Sequence, residues 1–287
     1  MIIVTGATGQ LGRRIVESLL ARVPAEQVGV SVRDPRKAQD LADRGVRVRQ
    51  GSFTDPDSLS HAFEGADQVL LVSVDKLGVE AVRQHRTAIE GAVAAGAHRI
   101  LYTSHMGADR DSQFEPCRDH AIDEEVLQTC GVPFTSLRNG FYAASAMRFF
   151  VQAIETGQLV LPADGAVSWT AHVDLADAAA AILAEEGRFD GPTPPLTAAQ
   201  AIDFEEIAAL ATRLTGRTIK RINVSDEEFR HQMLSHDVPA AQVDMMVDIF
   251  AASRAGEFAA VDPTLAQLIG RAPTGFDAVL RDALSAS

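Results

Sequence analysis

Cysteine is nearly absent from the chain. Cys117 and Cys130 are the only two in 287 residues. They cannot form a disulfide framework, so a reducing cytoplasm is the expected compartment. Long hydrophobic runs are missing too: no uninterrupted apolar stretch approaches the ~20 residues that cross a bilayer. The N-terminus runs straight into a strand-like segment, without the basic and apolar stretches of a signal segment. Positive charge is scarce, with 26 Lys and Arg against 39 Asp and Glu and a net charge of −13. Such a surface repels phosphate backbones and anionic membranes, so neither nucleic acid nor a membrane is an expected partner. Tyrosine and lysine are scarcer still. Tyr102 and Tyr142 are nowhere four residues ahead of Lys37, Lys76 or Lys220. No Tyr-x-x-x-Lys pair exists, and with it goes the proton donor of ordinary alcohol dehydrogenation, epimerisation and dehydration.

What is present is a regular alternation. Ile2–Thr5, Val28–Val32, Val46–Val48, Val69–Val72, Ile100–Thr103 and Phe134–Leu137 read as short buried strands. Helical patterns over Leu11–Leu20, Glu80–Ala95 and Ala121–Thr129 separate them. Asp34-Pro35 and Asp55-Pro56 are cap-and-proline helix starts. The β-α-β-α order predicts an α/β fold with a doubly wound, Rossmann-type parallel sheet. The second half is richer in helix, with capping boxes at Asp203–Glu206 and Ser225–Glu228. This divides the chain into a dinucleotide-binding domain over residues 1–150 and a smaller lobe over 151–287. The boundary is approximate, and part of 170–200 is expected to return to the first domain. The lobe should lie over the carboxyl ends of the strands, where ligands bind in open α/β sheets. His172-Val173-Asp174 precedes an alanine-rich helix from Leu175 to Glu185, for which Asp174 is the expected cap.

Gly6-Ala7-Thr8-Gly9-Gln10-Leu11-Gly12 follows the first strand and opens the first helix. Gly6 permits a tight turn, Gly9 lets backbone approach a pyrophosphate, and Gly12 lets helix and strand pack closely. The helix start then offers unpaired N–H groups and partial positive charge to phosphate. The second strand ends in Arg33, where an NAD site would carry an acid for the ribose 2′-hydroxyl. An arginine suits a 2′-phosphate. Arg13 and Lys37 are candidates to add charge, and Asp34 reads as a helix cap. NADP(H) is therefore expected in preference to NAD(H), with an Arg33→Ala change weakening NADPH more than NADH.

Further candidates follow the later strands. Asn139 and Arg138 stand at the ligand end of the sheet, and Asn139 is a candidate for the nicotinamide ribose or carboxamide. Phe141 and Tyr142 are candidates to stack on a planar ligand, or to pack between the lobes. Ser104 is placed to hydrogen-bond near the nicotinamide or substrate. His105 is a candidate proton donor, or a solvated loop histidine. His120 and Glu124 stand where the missing tyrosine and lysine would be and, one helical turn apart, can face each other. Cys117, His105, Asp119 and His120 match no common metal spacing, so no metal is expected. Phe229, Met233, Met245, Met246, Ile249 and Phe250 recur at helical spacing, as core or as a wall for a flat substrate. Hydride chemistry that needs little acid remains open. A quinone or a cationic conjugated dye is a far better electron sink than an isolated ketone, and orientation at the nicotinamide can supply most of the catalysis.

The glycine turn, Val32-Arg33-Asp34-Pro35, Tyr102-Thr103-Ser104, His120 with Glu124, Leu137-Arg138-Asn139-Gly140-Phe141-Tyr142 and Leu268-Ile269-Gly270-Arg271-Ala272-Pro273 together resemble the NmrA-like atypical short-chain dehydrogenase/reductases. Within that family they resemble the bacterial branch of NADPH-dependent quinone and triphenylmethane dye reductases. The resemblance spans nearly the whole chain. It implies that Gly6 to Leu11 and Arg33 hold the pyrophosphate and adenosine end, that Ser73-Val74-Asp75 passes beside the cofactor, and that Leu137 to Tyr142 lines the nicotinamide side. It implies a quinone-like or conjugated aromatic acceptor, seated between the nicotinamide and the C-terminal lobe. Relatives of similar fold bind NADP(H) without turnover, so the alternative is a redox-sensing regulator. A homodimer is a possible assembly. Gln50-Gly51-Ser52-Phe53 departs from relatives that carry an acid near adenine, and the C-terminal lobe diverges most.

Overall fold

The computed structural model describes residues 1–285, and all their side chains except those of residues 151 and 152. The first half alternates β1 (Ile2–Thr5), α1 (Gln10–Leu20), β2 (Val28–Val32), α2 (Gln39–Ala42), β3 (Arg47–Gln50), α3 (Pro56–Phe63), β4 (Gln68–Leu71), α4 (Gly78–Ala94), β5 (Arg99–His105), α5 (Glu115–Gln128) and β6 (Phe134–Asn139). The second half adds α6 (Ala143–Thr156), β7 (Gln158–Pro162), α7 (His172–Ala184), β8 (Gly191–Pro192), α8 (Phe204–Thr215), β9 (Lys220–Val224), α9 (Asp226–Ser235), α10 (Ala240–Arg254), α11 (Thr264–Ile269) and α12 (Phe276–Ser285). Among the described residues, no helix is long and apolar enough to cross a membrane.

The main sheet runs β3-β2-β1-β4-β5-β6-β8, with every pair parallel. β1 and β4 are buried along their whole length, which is why they read as unbroken apolar runs. On one face Val4, Leu70, Leu101 and Leu137 pack against Ile15 and Leu19 of α1 and Leu175 and Ile182 of α7. On the other, Ile3, Val69, Leu71, Ile100 and Tyr102 meet Phe63, Ile89 and Leu127 from α3, α4 and α5. The doubly wound sheet is as the pattern predicts.

A third core belongs to the lobe. Phe150, Trp169, Phe204, Phe229, Phe250 and Phe258 fill it, and β7 pairs with β9 at its side. Ala143, Ala146 and Phe150 of α6 also lie in this core. Two later elements join the main sheet: α7 packs against α1, and β8 extends the sheet next to β6.

Two local expectations are corrected. α5 begins at Glu115, not Ala121, with Pro116 in its first turn. Its buried face includes Asp119, Asp123 and Glu124, so apolar periodicity is weak where the helix packs. Asp174 does not cap α7. The helix starts at His172, its cap position is Ala171, and no side chain bonds there. Asp174 is fully buried in the first turn, where it accepts hydrogen bonds from Thr274 N–H (2.6 Å) and Oγ1 (3.1 Å) and pairs with Arg271. Deep burial makes it a clasp for the C-terminal segment.

Candidate cofactor and active site

The glycine turn is built as its spacing requires. Gly6 has φ of +62°, in the left-handed region. Gly9 N–H donates to the Gly6 carbonyl at 2.9 Å, closing the turn. A Cβ on Gly12 would overlap that same carbonyl oxygen, so only glycine lets α1 sit this close to β1. No side chain caps α1, and the first amides of a helix have no partner within it. Ala7, Leu11 and Gly12 face inward, whereas Gly6, Thr8, Gly9 and Gln10 are exposed.

Arg33 is exposed and has no hydrogen-bond or ion-pair partner among the described residues. Asp34 does cap the turn after β2: its Oδ1 accepts from Arg36 N–H at 3.1 Å, and both its oxygens meet the Arg36 guanidinium. That guanidinium holds the Asp34 carboxyl below its usual range. Arg13 is committed to Asp40 and to Glu17 at 3.0 Å. Arg33 is thus the uncompensated charge at the end of β2.

The segment after β4 is pinned by side chains that sequence reasoning passed over. Val72 N–H donates to Thr5 Oγ1 (2.8 Å), Ser73 N–H to Thr103 Oγ1 (2.9 Å) and Val74 N–H to His85 Nε2 (2.9 Å). Gly78 N–H donates to Asp119 Oδ2 at 2.6 Å. Asp75 itself is exposed. The available signal was His85, with Gln84 a polar residue on the buried stripe of α4 that Ala81, Ala88, Ile89 and Ala92 otherwise fill.

The segment from Leu137 to Tyr142 splits by role. Leu137 is core. Arg138 does not point to an open ligand position: its guanidinium pairs with Glu124 at 2.6 Å. Glu124 also accepts from Ser104 Oγ at 2.8 Å and Ser136 Oγ at 2.9 Å. Ser104 and Arg138 are therefore bound to one buried carboxylate, and Glu124 does not pair with His120. Asn139 is buried, and its Oδ1 has no hydrogen-bond partner among the described residues. A Cβ on Gly140 would overlap Thr170 Oγ1, and Gly140 N–H donates to Leu196 O at 2.8 Å. Phe141 is packed among His105, Phe114, Trp169 and Phe258, with ring centroids 5.0–5.6 Å apart. Tyr142 lies 4.4 Å from the ring of His172, a residue absent from the sequence-based site. Burial pulls His172 down to about 4, so this ring pair is neutral at neutral pH.

His105 is drawn into the lobe. Burial lowers it to about 4 and raises the neighbouring Cys117 thiol to about 12. Their 3.1 Å contact therefore joins two neutral groups, not a thiolate and an imidazolium. Among the described residues, no group of three or more His, Cys, Asp or Glu is placed to hold a metal ion.

Behind the pinned segment lies a buried network. The Tyr102 hydroxyl is 2.8 Å from Asp123 Oδ2 and 2.7 Å from His120 Nδ1. Asp123 Oδ2 is also 2.7 Å from His85 Nδ1. Burial, then the Asp123 charge, raises Tyr102 well above its usual value, while burial and the two other histidines lower His120 well below its own. In the lobe, a cavity of about 360 Å³ is lined by Arg148, Phe149, Phe229, Met233 and Met246. Met233 and Met246 thus line this cavity together with Phe229, while Phe250 is core.

The open amides of the glycine turn, the free Arg33 and the unpartnered Asn139 Oδ1 fit a phosphorylated nicotinamide dinucleotide: donors and charge for phosphate at one end, an acceptor for a carboxamide at the other.

The chain is 36% identical to quinone oxidoreductase 2 of Escherichia coli (strain K12) over 275 residues, covering 96% of this chain and 95% of that protein. It superposes on the crystal structure of an NADPH-dependent quinone oxidoreductase from Escherichia coli complexed with NADPH with a TM-score of 0.93, at 33% identity, over 99% of this chain and 100% of the other. The Citrobacter sp. triphenylmethane reductase complexed with NADP(H) gives a TM-score of 0.91 at 32% identity, again over 99% and 100%. The profile of the NmrA-like family matches residues 1–278, and the chain belongs to that family.

Proposed function

We propose that the chain is an NADPH-dependent oxidoreductase that reduces a quinone or another conjugated aromatic acceptor. The observation that carries this reading is the pairing of an uncapped, exposed helix start with an unpaired Arg33, in a chain that has no Tyr-x-x-x-Lys pair. The relatives that reduce quinones and triphenylmethane dyes support it.

When bound, the cofactor supplies hydride. The chain's own residues do the rest. The unpaired amides at the start of α1 meet the pyrophosphate, and Arg33 meets the 2′-phosphate. Thr5, Thr103 and His85 hold the backbone of Val72, Ser73 and Val74 as a fixed border beside the cofactor. Asn139 Oδ1 accepts from the carboxamide and sets the ring's orientation. Tyr142, backed by His172, forms a flat wall for the ring or the acceptor. Ser104 acts through Glu124, as a positioning residue that joins β5 to α5 and β6.

Loss of the NADPH absorbance band against a panel of quinones and cationic dyes tests the reading. Turnover of at least one acceptor, faster with NADPH than with NADH, is the expected result. Cofactor binding without turnover of any acceptor would replace the enzyme by a redox sensor.

A further inference from the structure

We propose that Tyr102 passes one proton between Asp123 and His120, and that His120 Nε2 delivers it to the reduced acceptor. The proposal rests on the reductase reading and names the source of the proton that a quinone needs.

Hydrogen bookkeeping across the network leads there. Val74 N–H can only donate, so His85 Nε2 is an acceptor. The ring's hydrogen is then on Nδ1 and is donated to Asp123 Oδ2. The Tyr102 hydroxyl has a single hydrogen and two neighbours within 2.8 Å, Asp123 Oδ2 and His120 Nδ1. Two hydrogen assignments satisfy these contacts with every heavy atom stationary. In one, Asp123 is a carboxylate that accepts from His85 and Tyr102. His120 Nδ1–H then donates to the Tyr102 oxygen, and His120 Nε2 is a bare lone pair. In the other, Asp123 Oδ2 carries a proton and donates it to Tyr102. Tyr102 donates to His120 Nδ1, and the hydrogen of His120 sits on Nε2. The second state holds one proton more than the first, and that proton leaves at His120 Nε2.

Three further observations agree. Asp123 Oδ1 is buried without a partner, a position that suits the carbonyl oxygen of a neutral acid better than half of a carboxylate. Tyr102 is held above its usual value and His120 below its own, so neither ring carries a charge at neutral pH. His120 is part-exposed, and its Nε2 has no partner among the described residues. Its ring runs parallel to His105 at the carboxyl end of β5, and to His85, which holds the segment bordering the cofactor.

The step balances. The quinone takes the hydride's electron pair, and the oxygen of the resulting anion takes the proton from His120 Nε2. The Tyr102 hydrogen moves to His120 Nδ1, the Asp123 hydrogen moves to Tyr102, and Asp123 is left as a carboxylate. Solvent returns one proton through Nε2 once the product has left.

The test compares the wild type with Tyr102→Phe, which keeps the ring and cuts the relay, and with Asp123→Asn, which keeps a polar side chain and stores no proton. With a quinone, kcat falls about a hundredfold in both variants, the scale of a lost general acid. The solvent deuterium isotope effect on wild-type kcat disappears or changes sharply. The NADPH dissociation constant stays within about twofold. A cationic triarylmethane dye takes hydride and becomes neutral without a proton, so its turnover is also kept within about twofold. Equal losses on quinone and dye, or a loss of NADPH affinity that tracks the loss of rate, would mean the network is only structural and would overturn the relay. Unchanged quinone kcat in Tyr102→Phe would overturn it as well. A wild-type protein that binds NADPH and reduces neither acceptor fails differently: it removes the reductase reading and the relay with it.

Discussion

Arg33 is the residue on which the proposed preference for NADPH turns. It is exposed and unpaired, while its neighbour Asp34 is consumed as a cap and held by Arg36. A guanidinium left free in an acidic protein is placed to receive an anion. Arg33→Ala is expected to weaken NADPH binding by about ten- to a hundredfold, the loss of a charge-assisted phosphate contact. NADH should change by no more than about twofold. Calorimetry with both dinucleotides measures this, and equal losses for the two would remove the 2′-phosphate contact from the reading. This residue was legible in the sequence because its signal is local: a strand end, and an arginine where an acid is expected. Asn139 and Tyr142 were proposed from the same kind of local signal. The pairing of Arg138 was not legible, because its partner Glu124 lies on a helix that only the tertiary fold brings over β6.

Among the elements, α5 departs furthest from its sequence signature. Its buried face carries Asp119, Asp123 and Glu124, so the pattern of apolar residues that marks a packed helix is broken along its length. The strands β1, β2 and β4, and helix α1, were plain because parallel strands and their covering helices bury continuous apolar surface. The polar underside of α5 instead replaces hydrophobic contact with hydrogen bonds to β5 and β6, and periodicity cannot report that. Glu124 is the main joint. Replacing it by alanine leaves Ser104, Ser136 and Arg138 without their shared acceptor. The expected loss is about 2–4 kcal/mol, below the full cost of breaking a buried pair because Arg138 keeps some access to water. Urea denaturation checks it, with Glu124→Gln retaining part of the stability. A loss within about 0.5 kcal/mol would show that the joint contributes little.

Across the whole molecule, the last elements tie two cores together. Leu265 and Leu268 of α11 belong to the core shared by α1 and α7. Phe276 and Leu280 of α12 belong to the core of the lobe. Between them, Arg271 and Thr274 hold the buried Asp174. A chain ending at Asp262 would lose these four buried side chains, whose burial contributes about 1.5–3 kcal/mol each. It would also strand the Asp174 carboxylate in the interior. That sum is comparable to the entire stability of a domain. The shortened protein is expected to lose its cooperative thermal transition by circular dichroism. A sharp melt close to that of the full chain would show that the strap is dispensable. The strap also sets an order of assembly. α7 lies against α1, although most of the chain separates the two in sequence, and α11 then closes over α7. During synthesis, the nucleotide seat at the amino end is made first but its supporting wall is made last, so a ribosome must nearly finish the protein before the earliest helix can be locked in place.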